Sequence, residues 1–318
     1  MAQPETTAFL FPGQGSQSLG MMAGLTASDA EAGALVEATF SEASDALGFD
    51  LWALCQEGPE ADLNRTENTQ PAMLAADIAT WRVWRSMDGP MPGAMAGHSL
   101  GEYAALVAGE ALAFDDAIRL VRRRGQLMQD AVPVGEGAMA AILGLDDATL
   151  EKVCEEAAGG QVVSCANFNA PGQVVIAGDT EAVERACEAA REAGARRALV
   201  LPVSVPSHCA LMRGAAGDLE AELAAIPVNP PVVPVWHNAD VATRETPDAI
   251  RASLARQLWQ PVQWTRTIES LVSRDVDHFV ECGPGKVLAG LNKRIARGAG
   301  FTVLDDVGAM NTLMEELS

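Results

Sequence analysis

Residues 92–110, PGAMAGHSLGEYAALVAGE, leave the chain little choice of local structure. A short run of small apolar residues predicts a buried strand, and LGEYAALVAGE predicts a helix packed behind it. Between them, Gly97-His98-Ser99-Leu100-Gly101 fits the G-x-S-x-G elbow, a sharp strand-to-helix turn that pushes a serine hydroxyl outward. The flanking glycines suit such a turn, because a larger side chain would clash there.

The rest of the chain supplies a frame for that elbow. TAFLF (7–11) is an apolar run closed by Pro-Gly and predicts a buried first strand. Helical periodicity covers 30–48 and 70–86, with Pro71 at a plausible first helical position. A further helix over 114–130 carries Arg122, Arg123 and Arg124. After Pro133 the rhythm changes. Strands over 137–144, 161–168, 173–178 and 195–204 alternate with helices over 147–159 and 180–194. That order is β-α-β-β-α-β, the ferredoxin-like pattern. From 210 the α/β alternation resumes, with helices near 210–225, 247–257, 263–273 and 285–297 and strands near 232–236, 277–281 and 300–304. The last dozen residues read as a peripheral helix or a frayed tail. Residues 1–132 and 205–318 are thus expected to form one α/β core, and 133–204 an inserted subdomain.

Composition removes several function classes. The chain has 318 residues, and its 48% hydrophobic content suffices for a large core. No run of about 18 apolar residues occurs, so no membrane span is expected. MAQPETTAFLF lacks a basic segment followed by a long apolar stretch, so no secretory signal is expected either. Six scattered cysteines without a C-x-x-C pair argue against a zinc site or a disulfide framework and for the cytoplasm. A net charge of −21 disfavours nucleic acid, whose phosphates repel such a surface. A monomer is the default assembly.

A serine nucleophile needs a base, and it needs donors for the oxyanion that forms on the attacked carbonyl. FPGQGSQ (11–17) follows a strand, but Ser18 stands where G-x-G-x-x-G requires glycine, so the dinucleotide fingerprint fails. CGPGK (282–286) has the wrong spacing for a phosphate-binding P-loop. The glycines at 13 and 15 instead let main chain approach a substrate, with the N–H groups of Gln14 and Leu100 as oxyanion donors. Of the four histidines, His98, His208, His237 and His278, His98 is adjacent to the serine and His278 precedes a buried strand. His208 lies in a strand-to-helix loop and is the best base. Cys209 beside it is a competing nucleophile. Arg124 precedes Gly125, which allows a close approach; if Arg124 points inward it can grip a carboxylate bidentately.

FPGQGSQ, TQPAMLA (69–75), GHSLGEY, RRRGQLMQ (122–129), NFNAPGQVVIAG (167–178), VPSHCALM (205–212), RQLWQPVQW (256–264) and ECGPGKVL (281–288) occur in this order. Together they resemble the bacterial malonyl-CoA:acyl carrier protein transacylases, from about residue 7 to residue 305. The resemblance implies an α/β-hydrolase-like core with a parallel sheet, interrupted by a ferredoxin-like subdomain. It implies malonyl transfer from malonyl-CoA to acyl carrier protein through a serine ester, with no cofactor. It implies Ser99 as nucleophile, His208 as base, and Arg124 as the malonyl carboxylate's partner. Gln14 and Leu100 would form the oxyanion hole. Gln257 would orient His208 through its side-chain carbonyl, and Asn167 would line the site. One departure is Ser207, where related acyltransferase domains often carry Phe. Lys286, Lys293, Arg294 and Arg297 fall in an acid-free stretch and are candidates for a landing patch for the acidic carrier protein, or for cations that suit a helix C-terminus. A serine esterase or thioesterase, and a non-catalytic carrier-binding scaffold, remain alternatives.

Overall fold

β1 (Thr7–Phe11) is buried along its whole length, as its apolar run predicts. In the computed structural model, which describes residues 3–203 and 205–318, it lies inside a six-stranded sheet. β2 (Ala94–Gly97) pairs with it on one side and β9 (His278–Glu281) on the other, both parallel. β10 (Gly300–Val303) continues the parallel sheet beyond β9, and β7 (Val235–His237) continues it beyond β2. β8 (Ala242–Thr243) ends that edge, antiparallel to β7.

Helices cover the sheet. Before the second sheet come α1 (Ala23–Ser28), α2 (Ala30–Leu47), α3 (Leu51–Glu57), α4 (Glu60–Leu63), α5 (Thr66–Ser86), α6 (Gly101–Ala108) and α7 (Phe114–Asp130). The second sheet has four antiparallel strands, β3 (Gly137–Leu143), β4 (Val163–Ala170), β5 (Gln173–Asp179) and β6 (Arg197–Val200). Their order, β4-β5-β3-β6, and the helices α8 (Asp147–Ala158) and α9 (Thr180–Glu192) give the expected β-α-β-β-α-β unit with its own apolar core. After it come α10 (Arg213–Ala224), α11 (Pro247–Gln257), α12 (Trp264–Val272), α13 (Val287–Ile295) and α14 (Val307–Leu317). Asp29, Asp50, Asp146, Thr246 and Asp306 cap their helices with side-chain oxygens, satisfying N–H groups that have no partner within the helix. No helix among the described residues is long and apolar enough to cross a membrane.

The structure moves several expected boundaries. α5 starts at Thr66, not at 70, so Pro71 sits inside the helix. Pro71 cannot donate the intrahelical hydrogen bond of its position, and Thr66, Thr69 and Gln70 pack the added turn into the core. β7 starts at Val235 because Pro230, Pro231 and Pro234 cannot donate to a ladder. The helix expected near 210–225 divides into a 3₁₀ turn, Ala210–Met212, and α10. The strand expected over 195–204 pairs only as β6, and its last residue, Ser204, lies outside the described residues. α1, α3 and α4 are too short to show a period and went unforeseen. The C-terminal segment is a packed helix, with Met310 and Leu313 buried.

α5 and α7 touch main chain to side at Gly125. A Cβ there would lie 2.7 Å from Glu67 Cα and 2.8 Å from the Thr66 carbonyl oxygen. Gly290, exposed on α13, has nothing within 4 Å of the same position. Gly125→Ala is therefore expected to destabilise by about 1–3 kcal/mol, the usual cost of overpacking. Gly290→Ala should stabilise by up to ~1 kcal/mol, because it relieves only glycine's entropy in a helix. Urea midpoints of the two variants check the contrast, and equal shifts would contradict it.

Candidate active site

β2 ends at Gly97 and α6 starts at Gly101, so Ser99 occupies the turn between them with φ +51°. That is left-handed space, which a serine enters only when its surroundings enforce it. Asn238 provides part of the enforcement: its Oδ1 accepts from the Ser99 N–H at 2.6 Å, and its Nδ2 donates to the Gly97 carbonyl at 2.7 Å. The two glycines of the motif are required for space. A Cβ on Gly97 would fall 1.9 Å from the Gly101 carbonyl, and one on Gly101 would fall 2.0 Å from the Phe11 carbonyl oxygen.

His208 meets the serine from the far side of the chain. Its Nε2 lies 2.7 Å from Ser99 Oγ, and its Nδ1 lies 2.7 Å from the main-chain carbonyl oxygen of Gln257. A carbonyl only accepts, so Nδ1 carries the proton and Nε2 is free to accept from the serine hydroxyl. His208 also has a positive φ, +61°. Burial, and then the neighbouring Arg124 charge, lower its pKa to about 3. The imidazole is thus a neutral base.

The expectation that Gln257 orients His208 through its side chain is corrected here. The main-chain carbonyl does that work, and the amide does something else. Gln257 Oε1 accepts from Arg124 Nη2 at 3.0 Å, and Nε2 donates to the Ser99 carbonyl at 2.7 Å and to Glu102 Oε2 at 3.0 Å.

Arg124 points inward and is 1% exposed. Its Nη1 donates to Gln70 Oε1 at 2.8 Å, and its Nη2 also approaches Ser99 Oγ at 3.3 Å. The Tyr103 ring lies 5.5 Å from the guanidinium carbon. Arg124 Nε has no partner. Every hydrogen-bond acceptor on this buried cation is neutral, and no ion pair reaches it among the described residues. A buried guanidinium bonded only to neutral acceptors is costly, and the Glu102 carboxylate, held at the far end of the Gln257 amide, attracts it without touching it, so the arrangement suits an anion brought in from outside.

Ser99, His208 and Arg124 line a cavity of about 540 Å³ together with Gln14, Leu100 and Asn167. Among the described residues, the N–H groups of Gln14 and Leu100 donate to no protein atom. Asn167 sits where the β4–β5 register shifts, an irregularity that turns its strand toward the cleft. Its strand is tied to the larger unit by Phe168 N–H to the Val262 carbonyl at 2.9 Å and Val262 N–H to the Ala166 carbonyl at 2.8 Å.

Other candidates resolve differently. Cys209 is buried, its thiol pushed up to about 12 by that burial, and it donates to the Pro206 carbonyl; it is no nucleophile. His98 bonds Asn169 and packs on Trp264, and His278 bonds Thr302. His237 is buried against Glu102. Lys286, Lys293, Arg294 and Arg297 do not all lie on one helix. α13 runs only from Val287 to Ile295, so Lys286 precedes it and Arg297 follows it. Lys286 pairs with Asp305 at 2.9 Å, and Arg294 holds Gln173 and the Pro171 carbonyl of the β4–β5 turn. The sequence reading assigned no role to Gln70, Glu102 or Asn238, although the first two lie in quoted motifs. A polar residue on an apolar helix face was the available signal for Gln70 and Glu102; Asn238, in the turn after β7, offered none.

Comparison with known proteins gives the family. The acyl transferase domain family matches residues 8–311. A malonyl CoA-acyl carrier protein transacylase of Escherichia coli K12 is 58% identical over 97% of this chain and 98% of its own length. The solved malonyl CoA-acyl carrier protein transacylase of Coxiella burnetii superposes with a TM-score of 0.96 at 50% identity, covering 100% of this chain and 99% of that one. A malonyl-transacylase solved in complex with a type II polyketide acyl-carrier protein superposes at 0.95 and 53% identity, covering 98% and 99%. With family, fold and near-complete coverage in agreement, this chain belongs to the malonyl-CoA–acyl carrier protein transacylase family.

Proposed function

We propose that this chain transfers the malonyl group of malonyl-CoA to the phosphopantetheine thiol of acyl carrier protein through a malonyl ester on Ser99. The observation that carries the reading is the buried Arg124 guanidinium surrounded only by neutral acceptors. The free carboxylate of a malonyl group is the anion that completes it.

Ser99 Oγ attacks the thioester carbonyl while His208 Nε2 takes the hydroxyl proton. The N–H groups of Gln14 and Leu100 hold the oxyanion. The C–S bond breaks, and CoA leaves with the proton. The carrier thiol then attacks the ester, His208 takes the thiol proton, and the C–O bond breaks to return the proton to Ser99. The scheme is ping-pong, and malonyl-CoA and holo acyl carrier protein are its substrates. Residues 133–204 act as an inserted subdomain that closes the cleft through Asn167. The setting is the cytoplasm. The thioesterase alternative lacks support: His208 leans on a main-chain carbonyl, where a hydrolase triad would place a carboxylate.

For the carrier protein, the basic surface differs from the stretch suggested by the sequence alone. Arg196 and Arg197 of the β6 strand end share a recess with Arg294. No salt bridge engages any of the three among the described residues. The same two segments continue into the catalytic cavity, through Leu201 on one side and Leu288 on the other. An acidic carrier docked on these arginines would present its thiol arm to the cavity.

Mixing the protein with labelled malonyl-CoA should give malonyl-Ser99, which passes to carrier protein on addition; release of free malonate instead would favour a thioesterase. Arg124→Ala should lose malonyl transfer and the preference for malonyl over acetyl. The lost pairing is worth about 2–5 kcal/mol, or roughly 30-fold to several-thousand-fold. A variant that keeps both overturns the role of Arg124. Because the folded His208 stays neutral far below its usual pKa of about 6.5, single-turnover acylation should hold its rate from about pH 8 to about pH 5. An acid limb centred near 6.5 would contradict a neutral buried base. Reversing Arg196 and Arg197 to Glu should raise the KM for carrier protein and leave malonyl-CoA acylation unchanged; equal effects on both would remove the docking role.

A further inference from the structure

Glu102 follows the elbow by one residue and is completely buried. Its two oxygens face three donors. Oε1 accepts from His237 Nδ1 at 2.7 Å, and Oε2 accepts from the Asn238 N–H at 2.9 Å and from Gln257 Nε2 at 3.0 Å. None of these partners touches substrate space directly, yet Asn238 and Gln257 each lead to a group that does. Asn238 holds the Ser99 turn by two hydrogen bonds. Gln257 offers its amide oxygen to Arg124.

An amide has two ends, and only one orientation works here. With Nε2 toward Glu102 and the Ser99 carbonyl, Oε1 faces the guanidinium. Reversed, the amide would set its NH₂ against the cation and its oxygen against two acceptors, losing three hydrogen bonds. The Ser99 carbonyl alone supplies one acceptor for Nε2. Glu102 supplies the second, which fixes the plane as well as the direction of the amide. The His208 tautomer does not depend on this arrangement, because it is set by the main chain of residue 257.

We infer that Glu102 is a positioning residue for acyl-group selectivity: through the Gln257 amide it fixes where the Arg124 guanidinium waits for the substrate carboxylate. The inference rests on the role of Arg124 proposed above. The effect travels along Glu102–Gln257–Arg124, while a second branch, Glu102–Asn238–Ser99, affects the overall rate.

The experiment offers equal malonyl-CoA and acetyl-CoA to the purified full chain and reads the two acyl-enzyme masses at early times. The unfolded fraction of any variant cancels in their ratio, so a merely structural defect leaves it unchanged. E102A and Q257A should each lower the malonyl-to-acetyl ratio at least tenfold, and E102Q, whose carboxamide still presents an acceptor to Gln257, should restore most of it. R124A, run alongside, should abolish the preference. An unchanged ratio in E102A or Q257A overturns the inference, as does E102Q falling as low as E102A. Should E102A fail to fold, Q257A, which keeps the main-chain carbonyl under His208, and E102Q decide the matter. If R124A keeps the preference, the reading of Arg124 fails; if R124A loses it while E102A and Q257A keep it, only the role of Glu102 fails.

Discussion

A positive charge enclosed by protein, with only neutral oxygens to hold it, is the constraint around which this molecule is arranged. Taking a guanidinium out of water is expensive, and the hydrogen bonds from Arg124 to Gln70 and Gln257 recover only part of that cost. Those two acceptors come from helices far apart in the chain, α5 and α11. α7 carries the arginine, and it reaches Gln70 only because Gly125 lets the first turn of α5 lie directly on it. The fold therefore has to be complete before the cation is placed at all, and its placement and the strained serine turn share Gln257 as a common support.

The two sheets divide the labour. The parallel sheet delivers the serine at the end of β2 and main chain at the end of β1, the usual location of sites in open α/β sheets. The antiparallel sheet contributes no reacting group; it contributes a wall. Met139, Asn167 and Val175 face the cavity from it, and α13 closes another side with Leu288 and Leu291. A wall of this kind keeps solvent from the ester without touching the bond that breaks.

Much of this was legible in the residues. The elbow, the first strand and the β-α-β-β-α-β unit depend on near neighbours in sequence, where a period of two or of 3.6 residues carries the information. The inward turn of Arg124 could be suspected from Gly125 beside it. The partners of Glu102 and Asn238 could not, because they are more than a hundred residues away and no local pattern reports them. Nor can a sequence say whether Gln257 acts through its side chain or its main chain, and the main chain is what holds His208. The cations near the end of the chain show a simpler limit. The sequence predicts a helix over 285–297 that would carry them all, whereas α13 stops at Ile295 with Ala296 out of helical geometry.

The neutral oxygen beneath His208 has a chemical corollary. An imidazole backed by a carboxylate gains strength as it becomes charged, which is what a base needs to strip a proton from something as reluctant as water, with a pKa of about 15.7. A thiol, near 8.5, asks far less of its base. On the proposed reading the second half-reaction therefore asks less of His208 than the first, in which the same imidazole takes its proton from an alcohol, so keeping stray solvent off the ester falls to the walls of the cleft and not to the strength of the base.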